Sequence, residues 1–226
     1  MIRTWQKIVQ IIFLILFAVL IITDRIQVWM GIFALGVVLS FFFGRFYCGW
    51  LCPINTLMKA VSWTKKKLRV GTLKVPRLLQ RPFFRYGFLV LFLLTIVFAM
   101  QTGRELPVLP ALLFLGTGLT LFFPEELWHR YLCPHGTILH FSGGRAARTL
   151  TVDTDVCNGC GKCSKVCNGG AVWRTNEKKY NIERGSCLLC LDCVDNCTQG
   201  AISYRRSLDI LANACGNCNK KQTLKK

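Results

Sequence analysis

The sequence predicts an all-α membrane domain of four transmembrane helices, arranged as two repeated hairpins, followed by a small α+β domain. Three observations predict this architecture. Apolar residues are bunched in roughly the first 140 positions, ten of the thirteen cysteines follow residue 145, and both parts contain an internal repeat. We therefore expect a transmembrane domain over 1–144, a cysteine-rich domain over 145–206 and a basic tail over 207–226.

Four apolar runs predict the transmembrane helices. They cover about 8–22, 26–43, 83–100 and 107–123, and each approaches the ~20 residues that a helix needs to cross ~30 Å of hydrocarbon. The first run has no small-x-small cleavage site and leads directly into the second. We therefore interpret it as an uncleaved span rather than as a signal peptide.

Charge predicts the orientation of these spans. Ten Lys or Arg and no Asp or Glu lie between Arg45 and Arg85, and such residues favour the cytoplasmic side. The sequence thus predicts an inner-membrane protein with both termini and the cysteine-rich domain in the cytoplasm. The net charge of +18 peaks around Met58, where apolar residues share one helical face. We expect an interfacial helix on anionic lipid there, and no nucleic-acid partner.

The cysteine-rich part contains a tandem motif. CNGCGKCSKVCNGGAV at 157–172 and CLLCLDCVDNCTQGAI at 187–202 both read C-x2-C-x2-C-x3-C, followed by Gly-Ala and a β-branched residue. In a reducing compartment this spacing predicts metal ligands rather than disulfides. Zinc also takes cysteine pairs. Two complete runs, however, match paired 4Fe-4S clusters, in which the fourth cysteine of each run binds the other cluster.

This rule gives two candidate ligand sets. We assign one cluster to Cys157, Cys160, Cys163 and Cys197, and the other to Cys187, Cys190, Cys193 and Cys167. The motif resembles bacterial two-cluster ferredoxins over about residues 150–205, which implies a ferredoxin-like fold with two 4Fe-4S clusters. The chain has Asn168 and Thr198 where those ferredoxins carry proline; we expect this to alter loop rigidity and not cluster binding. Electron transfer is the only chemistry that the sequence indicates.

A second repeat connects the two hairpins. FYCGWLCPINTLM at 46–58 aligns with LWHRYLCPHGTIL at 127–139, so Cys52 corresponds to Cys133. Proline at the first helical position places each of these cysteines at a helix N-terminus, where free N–H groups favour a thiolate. We expect both Cys-Pro motifs at the cytoplasmic ends of the second and fourth spans.

The repeat also predicts a third site beside the ferredoxin-like domain. Its candidate ligands for a further metal or iron-sulfur centre are Cys48, Cys52, Cys133 and His129. The alternative is a set of reduced thiols packed against Trp50 and Tyr131. The predicted spans contain no histidine, which argues against a bis-histidine haem. Cys215 and Cys218 form one more pair, which we interpret as flexible thiols; half of a zinc site, or ligands for the membrane site, are the alternatives.

The repeated hairpins and Cys-Pro motifs, followed by a two-cluster domain, resemble the membrane ferredoxins of the NapH, NosR and CcoG group. The resemblance spans nearly the whole chain, although the family carries cysteine where this chain has His129. It implies a membrane-bound relay of electrons between the quinone pool and a reductase partner, and a role as a quinol dehydrogenase component would follow. Two alternatives stay open: a CcoG-like copper reductase and a NosR-like regulatory or assembly factor.

Overall fold

A computed structural model of the chain describes residues 2–102, 107–175 and 178–206. The predicted tail with Cys215 and Cys218 lies outside these residues. The helices are α1 (Ile2–Ile22), α2 (Gln27–Phe43), α3 (Phe46–Trp50), α4 (Pro53–Lys67), α5 (Pro82–Thr102), α6 (Val108–Phe122), a π-helix (Leu127–Leu132), α7 (Pro134–Gly144), α8 (Lys162–Lys165) and α9 (Asp192–Asp195). The strands are β1 (Arg148–Val152), β2 (Val172–Arg174), β3 (Tyr180–Ile182) and β4 (Ile202–Arg206).

The four apolar runs form helices α1, α2, α5 and α6. Among the described residues, Ile2–Ile22 and Pro82–Ala99 are long and apolar enough to cross a membrane. Helices α2 and α6 are equally apolar in character but contain 17 and 15 residues. Helical structure is therefore confirmed for all four runs, and a spanning length is found for two of them.

The second Cys-Pro segment folds back between the long helices. Helix α7 packs against α2 and α5, and near its start the ring of His135 meets Phe33 and Phe92 at centroid distances of 4.4 and 5.1 Å. These two phenylalanines lie near the middle of α2 and α5. Farther along α7, Ser142 accepts a hydrogen bond from Ser40. The second Cys-Pro motif was expected at the cytoplasmic end of the fourth span. It follows α6 in sequence, but the chain folds back, so the motif lies near the middle of α2 and α5 instead.

Helix α4 makes a similar return along α1 and α6. Ile54 lies against Gly116 near the middle of α6, and the ammonium of Lys65 donates to the carbonyl oxygen of Thr120 at 2.9 Å. Met58 is completely buried. The expectation of an interfacial helix is therefore corrected, because the apolar face of α4 packs into the helical bundle rather than lying on lipid.

The small domain consists of two antiparallel ribbons and two short helices. β1 pairs with β4 from Arg148↔Arg206 to Val152↔Ile202, and β2 pairs with β3. Leu150 and Ile182 are buried between the ribbons and the cysteine loops. Helices α8 and α9 contact each other, which gives the small domain its α+β character.

Two hydrogen bonds attach this domain to the end of α2. The N–H of Ala147 donates to the carbonyl oxygen of Phe41 at 2.9 Å. The hydroxyl of Tyr204 donates to the carbonyl oxygen of Phe43 at 3.0 Å. One bond is made just before β1 and the other from β4. The β1–β4 ribbon of the small domain is thus attached to the helical bundle.

Candidate iron-sulfur sites and the cysteine junction

The two cysteine runs adopt the same backbone conformation. Gly159 and Gly161 have φ angles of 73° and 76°, and the equivalent Leu189 and Leu191 have 52° and 62°. Leucine rarely adopts this left-handed conformation. In the first run glycine is required, because a Cβ on Gly159 would lie 2.5 Å from the carbonyl oxygen of Lys178. In the second run the strained Leu189 is buried in the core of the small domain, and Leu191 packs partly buried against it.

The eight cysteines of the runs line two cavities. The cavity that we name the proximal site contains Cys167, Cys187, Cys190 and Cys193. The cavity that we name the distal site contains Cys157, Cys160, Cys163 and Cys197. In each cavity the fourth cysteine of one run lies with the first three cysteines of the other run. The structure therefore brings together the same two sets that the spacing predicts.

The lining of both cavities fits a 4Fe-4S cluster. No Asp or Glu is among the described residues that line them, and the N–H of Ala171 donates to the sulfur of Cys167 at 3.3 Å. Burial raises the pKa of Cys187 to about 11 and that of Cys193 to about 12, so these thiols need a metal to displace their protons. Within the described ranges, no three His, Cys, Asp or Glu side chains are placed to hold a single metal ion.

The loop of the proximal site lies against the helical bundle. Leu188 and Cys190 pack on the apolar core of the bundle. Gly49 approaches so closely that a Cβ on it would lie 2.3 Å from the carbonyl oxygen of Leu188. The carbonyl oxygen of Gly49 accepts hydrogen bonds from Gln6 and Gln10 at 3.0 and 2.8 Å. The first Cys-Pro segment is therefore in direct contact with the proximal loop.

A group of ion pairs holds the same loop in place. Arg3 pairs with Asp192 at 2.7 Å and also with Asp195, and Lys59 pairs with Asp192 at 3.2 Å. Arg3 also donates to the carbonyl oxygen of Cys190 at 2.9 Å. Burial alone would raise the pKa of Asp192, but the charges of Lys59 and Arg3 outweigh it and the pKa lies below its usual value. Helix α9 is thus attached electrostatically to α1 and α4.

Three thiols form what we name the cysteine junction: Cys48, Cys52 and Cys133. All three are buried and lie within electrostatic range of one another. Cys52 and Cys133 precede the prolines that start α4 and α7, and the sulfur of Cys133 accepts a hydrogen bond from the N–H of Gly136 at 3.3 Å. His129 is also buried, but in the described part of the chain its Nε2 has no hydrogen-bond partner. The structure groups the three thiols, and among the described residues it leaves the Nε2 atom of His129 without a hydrogen-bond partner.

Arg45 is a residue of this region that the sequence analysis missed. Its side chain is buried and donates to the carbonyl oxygen of Gly185 at 3.1 Å, and it contacts the sulfur of Cys48 at 3.8 Å. It occupies space left by Gly136 and Gly143, where a Cβ would lie 2.6 and 2.8 Å from it. Among the described residues no carboxylate pairs with it. A buried cation in this position stabilises negative charge on both sides of it.

Two sequence families match the chain. The 4Fe-4S binding domain family matches residues 25–71 and 105–151, and the 4Fe-4S dicluster domain family matches residues 156–202. Each match to the first family contains one Cys-Pro motif. The match to the second family contains all eight cysteines of the proximal and distal sites.

Curated relatives agree with these families. An uncharacterized protein of Methanocaldococcus jannaschii is 30% identical over 81% of this chain and 74% of its own length. Ferredoxin-type protein NapH of Haemophilus influenzae is 27% identical over 73% of this chain and 63% of its own. Regulatory protein NosR of Pseudomonas aeruginosa is 25% identical over 65% of this chain, but only 23% of its own length is covered. No solved structure matches the chain. These matches show that the chain belongs to the NapH/NosR-type ferredoxin family of iron-sulfur electron-transfer proteins.

Proposed function

We propose that this chain is a membrane-bound relay that passes electrons between the quinone pool and a reductase partner. The contact between the proximal loop and the first Cys-Pro segment carries the proposal. It places a cysteine site directly against helices of membrane-spanning character. The quinone and the reductase are expectations from the family resemblance. The site geometry supports them because it connects the apolar helices, on the proposed quinone side, with the ferredoxin domain, on the proposed reductase side.

Two 4Fe-4S clusters would be held by the proximal and distal sets of cysteines. When bound, such clusters supply one-electron redox chemistry. The residues of the chain give the two sites different surroundings. Leu150, Ile182 and Leu188 shield the proximal site from water, whereas Cys160 of the distal site is exposed. The proximal site therefore serves the helical side of the relay, and the distal site serves a protein partner.

The proposed topology has four crossings with both termini and the ferredoxin domain in the cytoplasm. The ten basic residues and no acidic ones between Arg45 and Arg85 support this orientation. At 1.5 Å per residue, α2 and α6 are about 25 and 22 Å long, less than the ~30 Å of a hydrocarbon core. Helices α4 and α7 pack alongside them. Both Cys-Pro segments would then lie at membrane depth, enclosed by protein.

The cysteine junction is the proposed point at which electrons enter or leave the membrane side. We propose that its three buried thiols, beside Arg45, bind a third iron-sulfur centre with His129 as the fourth ligand; among the described residues no three such side chains are placed to hold a single metal ion, so the proposal is for a larger cluster. Neutral imidazole and thiolate are both good ligands for iron. Three reduced thiols without a metal are the alternative arrangement.

The main test uses the purified protein in lipid nanodiscs, reduced with dithionite and freed of excess reductant. We expect menaquinone to restore the visible absorption of the oxidised protein, with two electrons consumed per quinone. Cys52→Ser should slow this reaction while leaving the ferredoxin cysteines intact, and Thr64→Ser, at an exposed position of the same helix, is the control. Reoxidation by ferricyanide but not by menaquinone would contradict the quinone assignment.

Two further measurements separate the alternatives. Reoxidation by copper(II) and not by menaquinone would favour the metal-reductase function instead. Iron analysis addresses the junction, because two clusters correspond to about eight irons per chain and a third cubane would bring this to about twelve. A content near eight that does not change in Cys52→Ser or His129→Ala would rule out a third cubane.

A further inference from the structure

The two short helices of the ferredoxin domain occupy equivalent positions but carry opposite charges. In the duplicated motif, Lys162 of α8 corresponds to Asp192 of α9, and Lys165 corresponds to Asp195. Each pair flanks the third cysteine of its run. The exchange of two aspartates for two lysines therefore occurs at one defined place on the repeated unit.

The acidic copy shows what this place on the repeat does. Helix α9 uses both aspartates to dock on the bundle, where Arg3 and Lys59 supply the opposite charges. This docking brings the proximal loop against the first Cys-Pro segment. In this second copy the docking partner is the helical bundle of the same chain. The outer face of α9 is thus an electrostatic docking surface.

The basic copy has the same geometry but no partner in the described residues. Lys162 and Lys165 are both exposed, and no carboxylate among the residues that the structure describes pairs with either. Cys160 of the distal site is exposed beside them, and Lys162 lines the distal cavity. Along the chain, Asp155 is the acidic residue nearest to α8 that makes no ion pair within the described residues. The neighbouring Asp153 pairs with Arg205 at 3.5 Å.

We infer that the outer face of α8, with Lys162, Lys165 and Cys160, docks an electron-transfer protein that presents an acidic patch. The inference deepens the proposed function, on which it rests, by assigning the partner side of the relay and its charge. Complementary charges speed association and orient the partners. A partner seated here would approach the distal site at its exposed cysteine, as the bundle approaches the proximal site at Cys190.

The test compares two one-electron haem proteins of opposite charge. Cytochrome b5 is acidic and cytochrome c is basic, and one electron from the reduced protein converts one ferric haem of either to the ferrous form. The double variant Lys162→Asp/Lys165→Asp gives α8 the charges of α9. At low ionic strength we expect it to reduce cytochrome b5 at least ~10-fold more slowly than the unmodified protein, and cytochrome c faster. Added salt should remove both differences.

Lys67→Asp/Lys74→Asp is the matched control, because it makes the same charge change at exposed residues outside the ferredoxin domain. Binding is also measured without electron transfer, by titrating oxidised cytochrome b5 into the oxidised protein in neutral-lipid nanodiscs. The docking-face variant should weaken this binding at least ~10-fold and the control should not. Equal iron contents show that both variants are folded and loaded.

Each other outcome overturns the inference in a recognisable way. Equal losses with both cytochromes, or equal effects of the two double variants, would show that charge on α8 does not select the partner. An effect that occurs only in nanodiscs with anionic lipid would assign α8 to the membrane surface instead. Failure of the reduced, iron-loaded protein to reduce either cytochrome would contradict the proposed function itself.

Discussion

The two cysteine runs have one backbone conformation but opposite surroundings. The second run is rich in leucine, and Leu188 and Leu189 are only 3% and 5% exposed. The first run carries Asn158 and Gly159 at the same positions, and its Asn158 is exposed. The cysteines and the left-handed φ angles are shared, so ligand geometry does not require the leucines. They are present because this copy forms an internal interface.

The comparison separates two kinds of constraint within one motif. Cysteine spacing is determined by the cluster that each set would hold, and it is identical in both copies. The residues between the cysteines depend on what the loop faces: a helical bundle for the proximal loop, and solvent or a partner for the distal loop. A variant that affects only one constraint should therefore affect the two copies unequally.

The largest expected effect comes from removing one ligand in each copy. Cys157→Ser and Cys187→Ser should each lower the iron content by about four per chain, since serine is a poor ligand for these irons. Cys187→Ser should also loosen the domain from the bundle, because its loop forms the internal interface. Iron analysis and EPR of the reduced protein measure the first effect, and proteolysis between α7 and β1 measures the second. Unchanged iron in either variant would contradict the assignment.

A substitution at the contact between bundle and loop comes next. In Gly49→Ala the new methyl group would lie 2.3 Å from the carbonyl oxygen of Leu188, so the proximal loop must move. Overpacking of this kind costs roughly 1–3 kcal/mol, which should lower the midpoint of thermal loss of iron-sulfur absorbance by about 3–10 °C. Gly31→Ala is the control, because a Cβ placed there would meet no described atom within 4 Å apart from its chain neighbours and the backbone of its own helix. Equal midpoints for the two variants would disprove the close contact.

The charge of Arg45 should distinguish the two sites electronically. Its guanidinium lies between Cys48 and the loop that begins at Gly185, and its charge reaches Cys187. Arg45→Gln should lower the reduction potential of the proximal site by roughly 50–100 mV, the size of one charge near 10 Å at an effective dielectric constant of 20. A potentiometric EPR titration should show the other signal unmoved, and exposed Arg205→Gln should move neither. Equal shifts of both signals would contradict this placement.

The ion pairs at α9 should make a smaller contribution. A double-mutant cycle with Arg3→Gln and Asp192→Asn should give a coupling free energy of about 1 kcal/mol, because the two side chains are only 31% and 24% exposed. The pair of Arg205 and Asp153 is more exposed, at 44% and 32%, and should give less than about 0.5 kcal/mol. Thermal midpoints of the four variants of each cycle provide the measurement. A larger coupling in the second cycle would contradict the proposed attachment.

The smallest expected effect is at the strained leucines. Leu191→Gly restores the residue type of the first copy at a φ of 62°, so relief of strain should offset lost packing to within about 0.5 kcal/mol. Leu189→Gly removes a side chain that is 5% exposed and should cost about 1–2 kcal/mol net of the same relief. Thermal midpoints should rank the two variants in this order. The reverse order would show that strain, and not burial, dominates the second run.

Sequence patterns could predict the cysteine sets and the four apolar helices because both depend on local spacing. The left-handed turns follow from glycine in the first run, and the second run inherits them by duplication. The leucines at 188 and 189 were an available signal that the second run is the buried one.

The contacts of Arg45 and the return of α4 and α7 could not be predicted in the same way. The glycines that make room for Arg45 lie on α7, about ninety residues later in the chain, and no local pattern relates them. The sequence around Met58 has the same amphipathic pattern whether α4 lies on lipid or packs on α6. Only the position of α6 decides between these two arrangements, and that position is a property of the tertiary fold.

The connection between α7 and β1 has a consequence for how electrons reach a partner. Helix α7 ends at Gly144 and β1 begins at Arg148, so three residues, with a reach of about 10 Å, join the bundle to the ferredoxin domain. A shuttling carrier domain needs a long, flexible tether in order to swing between donor and acceptor. This domain is instead held against the bundle, so electron transfer between bundle and domain should be insensitive to solvent viscosity, whereas the arrival of a diffusing partner should slow as the viscosity rises.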